Sequence, residues 1–205
     1  MKEQVHTIIQ QTQRYYYEDG IGEMTIGLLY LLIGILLGTS YLYQEQPFGQ
    51  RMLVIGLPLL VLGGGYVGNW LVRRAKQRVT YSRTGYVAYR KPTRLLGRWI
   101  VGLILLGWIG LTLVFPQFSK LLPLVLGWFI AISLGYIGYR INLPRFYALG
   151  GMAILVATVV TLQIGEVVVG TAVVFIATGV IMLLTGGWVF GQYLRHHPVA
   201  DKESE

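Results

Sequence analysis

The chain has 205 residues, 54% of them hydrophobic and 13% charged, with 27 glycines and a mean hydropathy of +0.58, a composition that excludes an ordinary soluble domain and fits a protein whose solvent is lipid. The net charge of +8 is not a nucleic-acid signature: nine of the 17 basic residues fall between Arg73 and Arg98, the clustering expected of a loop on the positive, cytosolic side of a membrane. With no cysteine there is no disulfide, thiol nucleophile, thiolate zinc site or cysteine-ligated iron–sulfur cluster.

Residues 1–20 predict an amphipathic helix lying at the inner membrane surface, because Val5, Ile8, Ile9, Thr12, Tyr15 and Tyr16 recur at three- and four-residue spacing with polar residues between them. The run Tyr15-Tyr16-Tyr17-Glu18-Asp19-Gly20-Ile21-Gly22-Glu23 then puts tyrosines where an aromatic belt belongs and acids just before the first span. Those acids favour the positive end of a helix dipole or pair with arginines on the same side. On the dipole alone, Glu23→Gln is expected to cost little. No short basic leader and no small-residue cleavage site frame the first apolar run, so it reads as a retained span.

Apolar stretches follow near 24–43, 52–71, 99–115, 121–139, 146–164 and 167–190. A helix crosses about 30 Å of hydrocarbon with about 20 residues, so the expected fold is an all-α membrane domain of about six transmembrane helices over residues 21–194. Six spans set fifteen basic residues on the inside against Arg51 and Lys120 outside, which makes both termini cytosolic and the chain a multi-pass protein of the cytoplasmic (inner) membrane. The connections on the outside are too short to form a binding domain.

The basic loop, residues 72–98, is the one sizeable element outside the lipid. Within it Arg78-Val79-Thr80-Tyr81 and Tyr86-Val87-Ala88-Tyr89 flank Ser82-Arg83-Thr84-Gly85, the punctuation of a small β-hairpin between the second and third spans. A lone hairpin is marginal in water and needs a support: the N-terminal helix, anionic lipid headgroups, or another protein. Tyr81, Arg83, Tyr86, Tyr89 and Arg90 are therefore the candidate partner or lipid contacts. The polar tail, residues 195–205, ends the chain in the cytosol.

Inside the spans, small residues four apart predict close helix packing at Gly34 with Gly38, Gly64 with Gly68, Gly127 with Ala131 and Gly135, Ala153 with Ala157, and Gly187 with Gly191, within the chain or in a homodimer. Between the predicted span ends no Asp, Glu, Lys, Arg or His occurs, which argues against ion-coupled transport. No zinc-protease, phosphate-loop or serine-hydrolase motif occurs, and His196 and His197 sit in the polar tail. Asn69, Thr112, Ser133, Thr158, Thr161, Thr171, Thr178 and Thr185 are the candidate buried polar residues of the spans, and threonines there ordinarily bond their own helix.

The segments Tyr17-Glu18-Asp19-Gly20 and Tyr81-Ser82-Arg83-Thr84-Gly85-Tyr86-Val87 resemble an uncharacterised family of bacterial polytopic integral membrane proteins of unknown function. That resemblance implies a small multi-pass protein and carries no activity or site. The expected function is a non-catalytic accessory or scaffold subunit of a membrane assembly, docking through the basic-aromatic hairpin. The alternative is a passive channel or carrier for neutral or apolar solutes or lipids. No enzyme activity, cofactor, metal or nucleic-acid partner is expected; the expected partners are anionic lipid headgroups and a membrane protein or second copy.

Overall fold

A computed structural model of the chain describes residues 17, 19–80 and 116–196. Its architecture is all-helical: α1 (Ile21–Leu42), the short α2 (Pro47–Arg51), α3 (Leu57–Ala75), α4 (Leu122–Ile141), α5 (Arg145–Gln163) and α6 (Val167–His196). A π-helical turn, Met52–Gly56, joins α2 to α3, so Pro47–Arg78 forms one 32-residue helical run. Five helical runs are long and apolar enough to cross a membrane: Ile21–Leu42, Pro47–Arg78, Phe118–Ile141, Arg145–Gln163 and Val167–His196. The protein is a multi-pass membrane protein by helix length and hydropathy. The expected span at 99–115 lies outside the described residues, as does the N-terminal helix apart from Tyr17, Asp19 and Gly20.

The principal contact is between α1 and α6, which run antiparallel. Gly20, Gly27 and Gly34 recur every seven residues on α1, and Ala172, Gly179 and Gly186 do the same on α6. A Cβ built at Gly27 would stand 2.8 Å from the Gly179 carbonyl oxygen, and one at Gly34 would stand 2.8 Å from that of Ala172. A seven-residue period keeps one seam facing one partner, and here glycine lets two backbones meet. On the other side of α6, Ile130 and Leu134 of α4 pack with Phe146, Leu149 and Ala153 of α5 around Met182. The α4–α5 hairpin turns through Asn142 at φ 53°, followed by Pro144.

Helix α3 is held differently. None of its apolar window is buried, against 33–39% in the other four runs, and among the described long helices it leans chiefly on α1. Its far end corrects one expectation: Arg78, Val79 and Thr80, read as the first strand of the hairpin, continue α3 as a π-helical turn, Lys76–Thr80. Extending a formed helix costs far less than nucleating a two-stranded ribbon that is marginal by itself. Among the described residues there is no strand. Tyr81, Arg83, Tyr86, Tyr89 and Arg90 lie outside them.

The start of α1, the end of α3, the end of α4 and the start of α5 share one end of the bundle, here called the base. Of the described basic residues, Arg73, Arg74, Lys76, Arg78, Arg140, Arg145 and Arg195 belong to helix segments at the base, and only Arg51 and Lys120 to the opposite end. Thr80 therefore stands at the base, and Pro116 at the other end.

Candidate functional site

The base holds a group of buried charges. It begins with the backbone before α1: Gly20 adopts φ 70°, and a Cβ there would stand 2.5 Å from the Gly186 carbonyl oxygen, so both conformation and space require glycine. That turn directs Asp19 inward, where its Oδ1 accepts a hydrogen bond from the Ile21 N–H at 3.2 Å and satisfies one orphan donor of the first turn of α1. Asp19 Oδ2 is ion-paired with Nζ of Lys76, just past α3, and the two residues are 0% and 1% exposed.

One turn further along α1, Glu23 is 1% exposed and its Oε1 lies 2.8 Å from Nη2 of Arg145, the first residue of α5, whose side chain is 26% exposed. Arg145 Nη2 also donates to the Tyr17 carbonyl. The guanidinium lies 5.4 Å from the centre of the Phe146 ring, which Tyr17 meets edge-on at 6.0 Å. Although the Glu23–Arg145 charges are close, the contact lacks hydrogen-bond alignment: neither Glu23 oxygen accepts a hydrogen bond, and Arg145 Nε donates none. Two acids and two bases thus tie the lead-in to α1 to both α3 and α5. Buried ion pairs add little net stability, yet breaking one from a single side is costly, so the arrangement specifies which helix ends meet.

Of the two settings expected for the acids, Glu23 takes the pairing with an arginine on the same side: it is enclosed and faces the Arg145 guanidinium. One expectation is corrected. The charge-free spans were an effect of span boundaries: α1 begins at Ile21 rather than 24, and the second run continues to Arg78, bringing Glu23 and Lys76 inside helical elements. Among the described residues, no group of three or more His, Asp or Glu could hold a metal ion.

Beside this cluster a cleft of about 200 Å³ opens between α1 and α3, lined by Tyr17, Gly22, Thr25 and Leu29 on one side and Gly64, Gly65, Gly68, Asn69 and Val72 on the other. Thr25 donates its hydroxyl hydrogen to the Ile21 carbonyl at 2.9 Å, whereas Asn69 makes no side-chain hydrogen bond among the described residues. Ser133, Thr158, Thr161 and Thr185 bond the preceding turn of their own helices at 2.7–2.9 Å; Thr171 and Thr178 are buried without a partner, and Thr112 lies outside the described residues.

The small residues nominated from sequence fall in different settings. Gly34 abuts α6, Gly64 and Gly68 face Leu29 and Thr25 of α1, and Gly127 meets Ala157 of α5. Ala131 is buried against Gly150, while Ala153 and Ala157 are buried in the core. Gly38 has only ordinary contact with Ala172, and Gly135, Gly187 and Gly191 face open space. The four-residue search missed Gly20, Gly27, Gly179 and Gly186, whose signal was the seven-residue period.

Compared with protein-family models, characterised proteins and solved structures, the chain matches none.

Proposed function

We propose that this protein is a non-catalytic accessory or scaffold subunit of a membrane assembly. The observation that carries the reading is the contrast between a fastened core and a helix, α3, whose apolar face no other described residue covers. The α1–α6 seam and the base charges hold α1, α5 and α6 together, while α3 turns Leu59, Leu62, Tyr66 and Trp70 outward. Such a helix offers an intramembrane face to a partner, and the basic segment that follows it offers a second contact at the membrane surface.

The assembly sits in the cytoplasmic (inner) membrane with its base and both termini in the cytosol, a reading supported by the accumulation of basic residues at the base. Six traverses are proposed, since Thr80 and Pro116 belong to opposite ends of the bundle and the apolar stretch 99–115 separates them.

Docking through the hairpin segment is tested by crosslinking and gentle co-purification from the native host. Tyr81→Ala with Tyr86→Ala should abolish capture of a partner, because aromatic anchors dominate recognition, whereas Arg83→Ala with Arg90→Ala should weaken it in a salt-dependent way. Equal capture by wild type and the tyrosine double variant would remove the hairpin from the account. The second reading, a passive channel or carrier for neutral or apolar solutes or lipids, is favoured by the cleft between α1 and α3.

A further inference from the structure

The cleft lies along a polarity gradient that matches one kind of molecule. Gly64 and Gly65 on α3 face Leu29 on α1 at its deep end. Asn69 follows one turn later, and Arg73 one turn later again on the same face of α3, at about 1.5 Å per residue. Apolar wall, carboxamide and guanidinium are thus stacked over about 12 Å in the order in which a membrane presents hydrocarbon, ester carbonyls and phosphate. Arg74 stands beside them, 4.7 Å from the centre of the Trp70 ring, an aromatic of the kind that marks the membrane interface.

Two polar groups at the mouth, Asn69 and Arg73, have unused capacity among the described residues. The Asn69 amide can donate two hydrogen bonds and donates none among the described residues, and Arg73 makes no ion pair among them. The neighbouring Lys76 is neutralised by Asp19, so the excess positive charge at the mouth belongs to the arginines. We infer that the cleft between α1 and α3 is a binding site for one anionic phospholipid, with an acyl chain against Gly64, Gly65 and Leu29, an ester carbonyl at Asn69 and the phosphate at Arg73 and Arg74. Charge complementarity selects this occupant: a zwitterionic phospholipid carries its own cation beside the phosphate and offsets less of the charge of the two arginines. The inference goes beyond the accessory reading and does not depend on it, since a resident lipid serves a scaffold and a carrier alike.

Gly65 and Gly63 make the test specific. A Cβ at either position meets nothing within 4 Å, yet only Gly65 lines the cleft. Gly65→Leu therefore adds bulk at the cleft wall with no clash at its Cβ, and Gly63→Leu, equally open at its Cβ, is the matched control. Full-length protein in detergent is titrated with phosphatidylglycerol and with phosphatidylcholine, and bound lipids are counted by native mass spectrometry.

Wild type and Gly63→Leu should hold one phosphatidylglycerol, preferred over phosphatidylcholine by about thirtyfold, as two arginines facing an anionic headgroup supply. Gly65→Leu should lose that lipid, and Arg73→Gln with Arg74→Gln should bring the preference close to unity. A phosphatidylglycerol carrying a photoreactive group on its acyl chain should label the peptide containing Gly64 to Asn69 in wild-type protein, a readout that does not depend on any variant folding. No headgroup preference in wild type, equal retention by the two leucine variants, or labelling confined to helices other than α1 and α3 would overturn the inference.

Discussion

The Glu23–Arg145 pair predicts an asymmetry that a surface ion pair would not produce. Removing the cation with Arg145→Gln leaves the Glu23 carboxylate enclosed at 1% exposure without its guanidinium and deprives the Tyr17 carbonyl of one donor. Stranding a buried charge costs about 3–5 kcal/mol. Removing the anion with Glu23→Gln leaves Arg145 at 26% exposure, able to reach water and still within reach of the Tyr17 carbonyl, so its loss should be ~1 kcal/mol, that of a partly solvated ion pair. The double variant, with neutral amides at both positions, should recover most of the loss suffered by Arg145→Gln. The assay is the unfolding midpoint of purified protein in one detergent, followed by tryptophan fluorescence for all four forms. On the scale of soluble domains of this size, 1 kcal/mol moves a midpoint by about 2–4 °C, so the two single variants should be separable. Equal losses from the two single changes, or a double variant as unstable as their sum, would show that Glu23 and Arg145 are not coupled as charges.

Other consequences follow from the packing and the charge distribution. Gly27→Ala should lower the midpoint by the equivalent of about 1–3 kcal/mol, because its Cβ meets Gly179 and Leu183 backbone atoms at 2.8 and 2.9 Å, while Gly187→Ala, in open space, should be neutral or slightly stabilising. Lys76→Gln should loosen α3: with cysteines at Thr25 and Gly68, whose side-chain positions lie 3.1 Å apart, oxidative crosslinking should be slower than with Lys76 present, and an unchanged rate would remove the Asp19–Lys76 pair as a fastening of that helix. Single cysteines at Ser82 and at Gln44 should label oppositely in intact cells, Gln44 with an impermeant thiol reagent and Ser82 only after permeabilisation; strong labelling at Ser82 in intact cells would reverse the orientation.

The helices were legible because lipid forces long apolar runs, and the described spans fall close to the stretches read from hydropathy. Their ends were less legible. Hydropathy places a boundary where charge appears, whereas α1 carries Glu23 inside its first turn because Arg145, 122 positions later, stands opposite. A window along one segment has no access to such a partner. The acids before the first span and the basic residues at the base were both visible in the sequence, but the pairing of Asp19 with Lys76 and of Glu23 with Arg145 depends on which helix ends adjoin. The α1–α6 seam was hidden for a different reason: a four-residue spacing does not pick out Gly20, Gly27 and Gly34, which repeat every seven residues. At the end of α3 the sequence misled, since β-prone Val79 and Thr80 are carried into helical geometry by the turns before them.

The accessory role is tested most directly by the mass of the protein as it exists in its own membrane. Solubilised gently from the native host and sized together with its bound lipid, the chain should run as a larger complex containing a second membrane protein in fixed proportion. A monodisperse single chain that carries neutral solutes across liposome membranes when reconstituted alone would contradict that role and establish the channel or carrier in its place.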